Sequence, residues 1–392
     1  MKYNFDEVID RVRDEHSFSI KWGARFAQNT FGTKEMPKDV ICLQISDMDY
    51  RSAPEIAEDL KKLAESGLFG YSMMNSRYYD AVRLWFRERF AWDFAAEDII
   101  CTPGTHAAVA RCVTKLTAPG DGVMFLTPCY NYHGDVESHG RSYVCVDMLM
   151  KDNYYTVDYA ALEKACAEEK NTMLLLCNPH NPVGRVFTPE ELKRIADICR
   201  RHNVVLVSDE VHCDIVRRDV DYQPVMKAVG PEGVVACTSV SKTFNLAGLN
   251  VSNMIISDPE LKKRYGYFFN WGSPFGIQGV ISAYTKGGPW VDALNEYIDG
   301  VLTQTVSFFR EKMPRVRVRM PEASYILWLD FSAYGLSYEQ LEERFVGQKL
   351  LVSYGKEFDV HDGRQWIRLC LPSAKSVVFD ACERMYKAFE NR

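Results

Sequence analysis

The sequence contains several short, continuously apolar segments that lack polar residues at alternate positions, and this feature constrains its fold most. The segments are residues 123–127, 143–146, 173–176, 204–207, 234–237 and 253–256. Continuous apolar runs of this length are typical of strands that are covered on both faces. Helical patterns separate them. The sequence therefore predicts an α/β fold whose central, mainly parallel sheet is sandwiched by helices.

One of the intervening helices is clearly signalled. Thr188 offers an N-cap hydroxyl, Pro189 suits the first helical position, and Glu191 completes a capping box. Apolar residues then recur at helical spacing up to Cys199. A strand, a helix and a strand in this order form a βαβ unit. Ligands of such sheets bind at the carboxyl ends of the strands, which is where we look for chemistry.

The pattern changes near residue 290. A long helical pattern covers residues 290–313, residues 315–319 alternate like a half-exposed strand, and residues 325–329 resemble a buried one. We therefore predict a large domain at residues 46–289. Residues 1–45 and 290–392 are expected to form a smaller α+β domain built from both termini.

Charge and cysteine content narrow the function classes. Lys and Arg number 47 against 53 Asp and Glu, a formal net charge of −6, which argues against nucleic acid as a partner. No apolar run of about 18 residues predicts a membrane span, and the first residues lack a signal peptide pattern. The 12 cysteines include no C-x-x-C pair and mostly lie in apolar runs. We expect a cytoplasmic protein without disulfides or a metal site.

Polar residues follow three of the predicted strands. Residues 178–184 supply the amide of Asn181, residues 208–212 supply the carboxylate of Asp209, and residues 239–242 supply the amine of Lys242. Any one of these clusters could simply be a turn. Three at consecutive strand ends favour a common site.

Such a set meets the demands of pyridoxal phosphate. This cofactor needs a lysine for a Schiff base and an acid beside its ring nitrogen, which Lys242 and Asp209 could provide. It also needs a donor for its phenolic oxygen, an aromatic ring to stack on, and donors for its phosphate. Asn181 or His212 could donate to the phenolic oxygen, and Tyr130 could stack on the ring. The candidates for binding the phosphate are Gly104, Thr105, Ser239 and Ser241.

Longer motifs extend this interpretation. The run S-K-T-F-N-L-A-G-L at residues 241–249 resembles the lysine segment of fold-type I pyridoxal-phosphate enzymes, and so do residues 178–184 and 209–212. Further motifs resemble the MalY/PatB-type cystathionine β-lyase branch of the class I and II aminotransferase-like family. They lie at residues 5–11, 21–22, 47–50, 69–72 and 209–214. The resemblance runs from Asn4 to about Pro372.

This resemblance implies a role for each matching residue. Lys242 would carry the cofactor and act as catalytic base, Asp209 would pair with the ring nitrogen, and Arg368, with Asn181 nearby, would bind the substrate carboxylate. Tyr71 matches a tyrosine that reaches the active site of a second subunit, where it contributes to substrate binding and catalysis. A homodimer is therefore implied.

Three positions depart from the expected pattern. Asn250 stands where many aminotransferases have a phosphate-binding arginine, which fits only the lyase-like branch. Cys370 and Leu371 replace an expected asparagine and a small residue. We interpret His106, His133, Asp47 and Asp49 as structural residues or as residues that surround the site.

The expected activity is β-elimination from a sulfur-containing amino acid such as L-cystathionine or a cysteine S-conjugate, which gives a thiol, pyruvate and ammonia. An aminotransferase needs the same lysine, aspartate and arginine and stays the main alternative. A protein that binds the cofactor without turnover is a further one. The S-x-x-K and D-E-x-H patterns at residues 239–242 and 209–212 lack the companion motifs of a penicillin-binding protein or a nucleic-acid motor.

Overall fold

A computed structural model describes residues 3–10, 18–266 and 272–390. Arg11, the last position of one motif noted above, lies outside these residues. The helices are α1 Ala24–Phe31, α2 Pro54–Glu65, α3 Ser76–Phe90, α4 Thr105–Leu116, α5 His133–Glu137, α6 Tyr159–Cys166, α7 Pro189–Arg201, α8 Val225–Val229, α9 Val240–Thr243, α10 Pro259–Tyr265, α11 Pro274–Lys286, α12 Gly288–Lys312, α13 Tyr338–Gly347 and α14 Lys375–Phe389. The strands are β1 Ile41–Cys42, β2 Ile99–Thr102, β3 Gly122–Thr127, β4 Ser142–Asp147, β5 Leu149–Lys151, β6 Tyr154–Thr156, β7 Asn171–Cys177, β8 Val205–Asp209, β9 Val234–Thr238, β10 Ser252–Ile255, β11 Arg317–Val318, β12 Ile326–Asp330, β13 Leu350–Leu351, β14 Ser353–Tyr354 and β15 Trp366–Cys370.

The central sheet has seven strands in the order β2-β10-β9-β8-β7-β3-β4. Strand β10 runs antiparallel to both of its neighbours, while the other pairings are parallel. All six predicted strands are therefore confirmed, and β2 is an addition that the sequence analysis did not predict. The α/β fold with its mainly parallel sheet is confirmed as well.

Alternate side chains of each inner strand enter two different hydrophobic cores. In β7, Met173 and Leu175 pack in the core beneath α4, whereas Leu174 and Leu176 pack in the larger core on the other face. Both sets are buried. A strand covered in this way has no solvent face, which explains why its sequence shows no polar alternation.

The predicted helix starts are also present. The hydroxyl of Thr188 accepts a hydrogen bond from the backbone N–H of Glu191, and the carboxylate of Glu191 accepts one from the backbone N–H of Thr188, so α7 begins with a complete capping box. Ser337 and Gln340 form the same arrangement at the start of α13. These caps fix where the chain enters each helix.

A second, antiparallel sheet of order β11-β12-β15-β14 lies in the C-terminal part of the chain. Strand β1, from the N-terminal part of the chain, pairs in parallel with β13 in a separate two-stranded sheet. The backbone N–H of Cys370 also donates to the carbonyl of Leu43 at 2.8 Å. These contacts support a small domain built from both termini, although its boundaries stay a prediction.

Two further properties concern membrane-spanning helices and the cysteines. No helix within the described ranges is both long and apolar enough to cross a bilayer. All twelve cysteines lie in the described part of the chain; none forms a disulfide, and only Cys145 is exposed. The interpretation of most of these thiols as core residues is confirmed.

Candidate active site

The carboxyl ends of the parallel strands surround a cavity of about 270 Å³. It lies where the sheet topology predicts a ligand. All nine residues proposed from the sequence as cofactor contacts line it: Gly104, Thr105, Tyr130, Asn181, Asp209, His212, Ser239, Ser241 and Lys242. A larger groove of about 810 Å³ lies between α2, α3 and α11, but charged residues at the protein surface line much of it.

Lys242 lies on the one-turn helix α9, directly after the end of β9. Ser239 caps this helix by accepting a hydrogen bond from the N–H of Ser241 at 3.1 Å. The amine of Lys242 donates to the carbonyl of Ser46 at 2.9 Å. Burial lowers the pKa of this amine, so the neutral form that can act as nucleophile or base becomes more accessible.

Asp209 is the last residue of β8 and is almost completely buried. The hydroxyl of Tyr132 donates to its Oδ2, and the N–H of Val211 donates to its Oδ1 at 3.2 Å. Burial raises the pKa of this carboxyl, whereas the two donors oppose the increase. The result is an acid held in place at the floor of the cavity.

The N-terminus of α4 forms another side of the cavity. Gly104 precedes this helix with a φ of 103°, a conformation that side-chain-bearing residues rarely adopt. The first amides of a helix have no partner within it and carry partial positive charge. Together with Thr105 and the hydroxyl of Ser241 they form a suitable place for an anion. The hydroxyl of Ser239 donates instead to the carbonyl of Val251 at 3.0 Å.

Arg368 reaches the same region from β15. Its Nη2 donates to the carbonyl of Gln44 at 2.6 Å, and its Nη1 donates to Oδ1 of Asn181 at 3.4 Å. Its buried Nε has no hydrogen-bond partner among the described residues. A buried guanidinium with an unused donor can bind a carboxylate. Asn181 therefore connects the predicted cofactor contacts to the predicted substrate contact.

The imidazole of His212 is buried beside these groups. Ser324 lies 3.1 Å from its Nδ1, and its Nε2 lacks a partner within the part of the chain that is described. Burial lowers the pKa of His212 to about 3, so the ring is neutral at physiological pH. An orphaned ring nitrogen in a polar cavity indicates that a ligand supplies the missing hydrogen bond.

Sequence reasoning missed three contributors. Tyr132 contacts Asp209 directly, and Asn250 lines the cavity. His106, which we interpreted as structural or peripheral, also lines it and lies 3.2 Å from the hydroxyl of Tyr130 through its Nε2. Asp135 binds the other ring nitrogen of His106 at 2.5 Å and raises its pKa. For Tyr132 and His106 the available signal was proximity in sequence to Tyr130 and Gly104, whereas Asn250 occupies a position at which many aminotransferases bind phosphate.

Two predicted site residues do not line the cavity: Arg368 is buried and contacts Asn181, which does line it, whereas Tyr71 lies at the surface. It is 90 % exposed, and it is not among the residues that line the cavity. Leu68, Phe69 and Met73 are also exposed. Within one subunit, therefore, Tyr71 does not reach the other predicted residues.

A buried ion pair supports the segment 44–49, whose carbonyls contact Lys242 and Arg368. The amine of Lys21 lies 2.8 Å from Oδ2 of Asp49 and donates to the carbonyl of Asp47 at 3.2 Å. Ser373 donates to the same carboxylate oxygen at 2.6 Å. These contacts hold the segment between the two sheets.

This fold and site define the fold-type I class of pyridoxal-phosphate-dependent enzymes. The family model described as aminotransferase class I and II matches residues 38–384, and the chain belongs to that family. It is 32% identical to the cystathionine beta-lyase PatB of Bacillus subtilis, over 98% of this chain and 99% of that protein. Protein MalY of Escherichia coli is 28% identical over 94% of both. Cystalysin from Treponema denticola, whose crystal structure contains pyridoxal 5'-phosphate, superposes with a TM-score of 0.92 at 31% identity and full coverage of both chains.

Proposed function

We propose that this protein is a pyridoxal-phosphate-dependent carbon–sulfur β-lyase. Its substrates are sulfur-containing amino acids such as L-cystathionine or cysteine S-conjugates, and its products are a thiol, pyruvate and ammonia. The observation that carries the proposal is the convergence of Lys242, Asp209 and the N-terminus of α4 on one cavity beside Arg368. PatB and cystalysin, the relatives described above, support the choice of elimination.

The cavity offers what the cofactor requires. Among the described residues, Nε2 of His212 has no hydrogen-bond partner, and no side chain caps the N-terminus of α4. The carboxylate of Asp209 keeps acceptor capacity beside its two donors, because each carboxylate oxygen can accept two hydrogen bonds. We assign Asp209 to the ring nitrogen, α4 and Ser241 to the phosphate, Asn181 or His212 to the phenolic oxygen, and Tyr130 to the ring face.

When bound, pyridoxal phosphate supplies an aldehyde for amines and a ring that withdraws electrons from the substrate Cα. Lys242 would hold the aldehyde carbon until the substrate amine replaces it, and its Nζ would then be placed to accept the proton from Cα. Asp209 would keep the ring nitrogen protonated, and Arg368 would bind the substrate carboxylate and orient the Cα–H bond. The electron pair left at Cα would form a Cα=Cβ bond as the Cβ–S bond breaks. The sulfur would leave as a thiolate and take up a proton, and water would release the remaining fragment as pyruvate and ammonia.

The lowered pKa of Lys242 suits this role. A buried amine holds a proton less tightly than one in water, so Nζ is more often neutral when the Cα proton must be removed. The carbonyl of Ser46 orients this amine in the ligand-free protein.

We further propose a homodimer in which Tyr71 enters the cavity of the partner subunit. Tyr71 and its apolar neighbours are exposed and distant from the cavity of their own subunit. A contiguous exposed apolar segment is typical of an interface, and a second copy of the chain is the occupant we assign to it. The unpaired thiols suit a reducing compartment, so the proposed location is the cytoplasm.

The decisive experiment is turnover of L-cystathionine without any keto acid. A lyase releases pyruvate and a thiol over many turnovers under this condition. An aminotransferase is the second candidate, because the chain belongs to the aminotransferase class I and II family. Without a keto acid, such an enzyme stops after one half-reaction, with its cofactor in the aminated form.

A lysine variant tests the assignment of Lys242. Lys242→Ala should lose the visible absorption of bound cofactor and nearly all turnover, while Lys286→Ala, which changes an exposed lysine, should retain both. Repeated turnover by Lys242→Ala would refute the assignment. Bound cofactor without turnover of any amino acid would refute the lyase proposal itself.

A further inference from the structure

Three metal-ligating side chains meet outside the active site. Cys145, Asp359 and His361 each place one donor atom within 4.8 Å of the others. Cys145 lies on β4, the edge strand of the central sheet, and the other two lie in the loop between β14 and β15. None of the three contributes to the cavity described above.

The surroundings of these side chains orient them as metal ligands. Nδ1 of His361 lies 2.8 Å from Oδ1 of Asp147, which leaves Nε2 as the ring nitrogen available to a metal. Histidine ligands of metals usually have such a carboxylate partner, which fixes their tautomer. Asp359 has its Oδ1 bound by His133 at 3.1 Å, while its Oδ2 is buried near the hydroxyl of Tyr143, with no hydrogen bond of standard geometry among the described residues.

The donor set selects the ion. A thiol, an imidazole and a carboxylate are ligands of Zn²⁺, whereas Ca²⁺ and Mg²⁺ prefer oxygen atoms alone. Asp147 and Asp359 add negative charge that attracts a cation. A tetrahedral Zn²⁺ separates its ligand atoms by about 3.5 Å, so side-chain movements of roughly an ångström would complete the site.

We propose that Cys145, Asp359 and His361 form a Zn²⁺ site, with water as the fourth ligand. This differs from the sequence-based expectation of no metal site. Spacing could not reveal it, because Cys145 is separated by more than two hundred residues from the other two ligands. Asp359 and His361 alone match no zinc motif.

The position of the site suggests what the ion would do. It would attach the loop that contains Asp359 and His361 to the edge of the central sheet. Phe358 in the same loop accepts a hydrogen bond from the N–H of Cys129 at 3.0 Å, and its ring lies 4.7 Å from the guanidinium carbon of Arg368. Zn²⁺ would therefore fix the surroundings of Arg368, although the site itself does not depend on the proposed lyase activity.

Cobalt spectroscopy on the holoenzyme without bound metal tests the proposal. A thiolate bound to Co²⁺ gives a charge-transfer absorption, which reports metal binding independently of enzyme activity. We expect one equivalent of Co²⁺ to bind with this absorption and Zn²⁺ to displace it. In Cys145→Ser the absorption should disappear. In Asp359→Asn and His361→Ala the calorimetric affinity for Zn²⁺ should fall at least tenfold.

His202→Ala is the matched control, since it removes a histidine that pairs with Glu163 at a different place on the surface. It should bind Co²⁺ and Zn²⁺ as the unmodified protein does. Thermal unfolding without metal checks that every variant is folded. Failure to bind Co²⁺ and Zn²⁺, or an unchanged thiolate absorption in Cys145→Ser, would overturn the proposal.

Discussion

The carboxylate of Asp209 is buried away from water, so hydrogen bonds from two protein donors stabilise its charge instead. Burial raises the pKa of its carboxyl, and hydrogen bonds from Tyr132 and from the N–H of Val211 act in the opposite direction. Hydrogen bonds to a buried charged group contribute about 1.5–3 kcal/mol each. The ionised state of Asp209 therefore depends on Tyr132, a residue that the sequence analysis did not select.

Changing Tyr132 to phenylalanine tests this dependence. Tyr132→Phe should raise the pKa of Asp209 further, because one donor to the carboxylate is lost while burial remains. We expect kcat to fall at least about tenfold, which corresponds to about 1.4 kcal/mol. The acidic limb of the pH–rate profile should move to higher pH, because the carboxylate now protonates more easily.

Tyr265→Phe provides the comparison for this variant. Tyr265 is also fully buried, but it packs against Arg111 and its hydroxyl has no hydrogen-bond partner among the residues described. Its loss should leave the pH–rate profile unchanged. An equal effect of both variants would mean that Tyr132 acts through packing and not through Asp209.

Strand-end motifs in the sequence predicted residues that line the cavity, while the roles of these residues stay predictions. Lys242, Asp209 and Asn181 directly follow or end apolar strands, so their convergence follows from a parallel sheet. Tyr132 could not be distinguished from Tyr130, because the turn after β3 decides which ring faces Asp209. The contribution of Ser46 is a backbone carbonyl, which no side-chain pattern reveals.

At the scale of structural elements, the position of the segment 44–49 depends on Lys21, which lies far from it in sequence. Lys21 is fully buried, and burial acts to lower its pKa, yet the neighbouring groups, of which Asp49 contributes most, raise the pKa overall. A buried ion pair that loses one member leaves an uncompensated charge. The segment that orients Lys242 and Arg368 should therefore loosen when Lys21 is changed.

Lys21→Met should lower the free energy of unfolding by about 3 kcal/mol, as measured by urea denaturation. KM should increase more than kcat falls, because Gln44 in this segment contacts Arg368. Lys286→Met is the control, since Lys286 pairs with Asp59 while half exposed, and its loss should cost less than about 1 kcal/mol. A Lys21→Met variant as stable as this control would contradict the argument.

Gly104 sets the position of the α4 N-terminus through its backbone conformation alone. A Cβ at this residue would meet no atom within 4 Å, but its φ of 103° is unfavourable for alanine. Gly104→Ala should therefore cost about 1–3 kcal/mol of stability and weaken binding of pyridoxal phosphate severalfold, as measured by absorption titration.

A glycine in a helix serves as the reference. Gly300 lies within α12, also has no atom within 4 Å of an added Cβ, and should tolerate alanine with a gain of up to about 1 kcal/mol. Equal cofactor affinity of Gly104→Ala and the unmodified protein would show that the helix start does not depend on this conformation.

Strand existence could be predicted from sequence, but strand direction could not. The apolar run of β10 looks like those of its neighbours, yet it lies antiparallel between β9 and β2. An apolar strand buried on both faces has the same pattern in either direction. Strand β2, at Ile99–Thr102, was not predicted.

For the whole molecule, the position of Tyr71 is the strongest reason to expect two subunits. It lies in an exposed apolar segment, whereas every other predicted site residue is buried or borders the cavity. A two-fold axis that covers this segment would place each Tyr71 beside the partner. The active site would then be completed only by association.

Mixing two inactive variants measures this sharing. Lys242→Ala and Tyr71→Phe should each be nearly inactive alone, while hybrid dimers contain one site with both intact residues. After subunit exchange in equal amounts, about a quarter of the native activity should return for a random mixture of two-fold dimers. Activity that stays at the level of the separate variants would count against a shared site.

The burial of eleven thiols leaves this chain with a single natural attachment point for chemical labels. Burial and the carboxylate of Asp359 raise the pKa of the Cys145 thiol to about 12, so a maleimide fluorophore should react there only slowly, in alkaline buffer and without bound metal, but without prior replacement of any other cysteine. The dye would lie against the loop that carries Phe358, next to the ring that contacts Arg368. Its emission could therefore report on substrate arrival in real time, in an enzyme that otherwise needs no engineering.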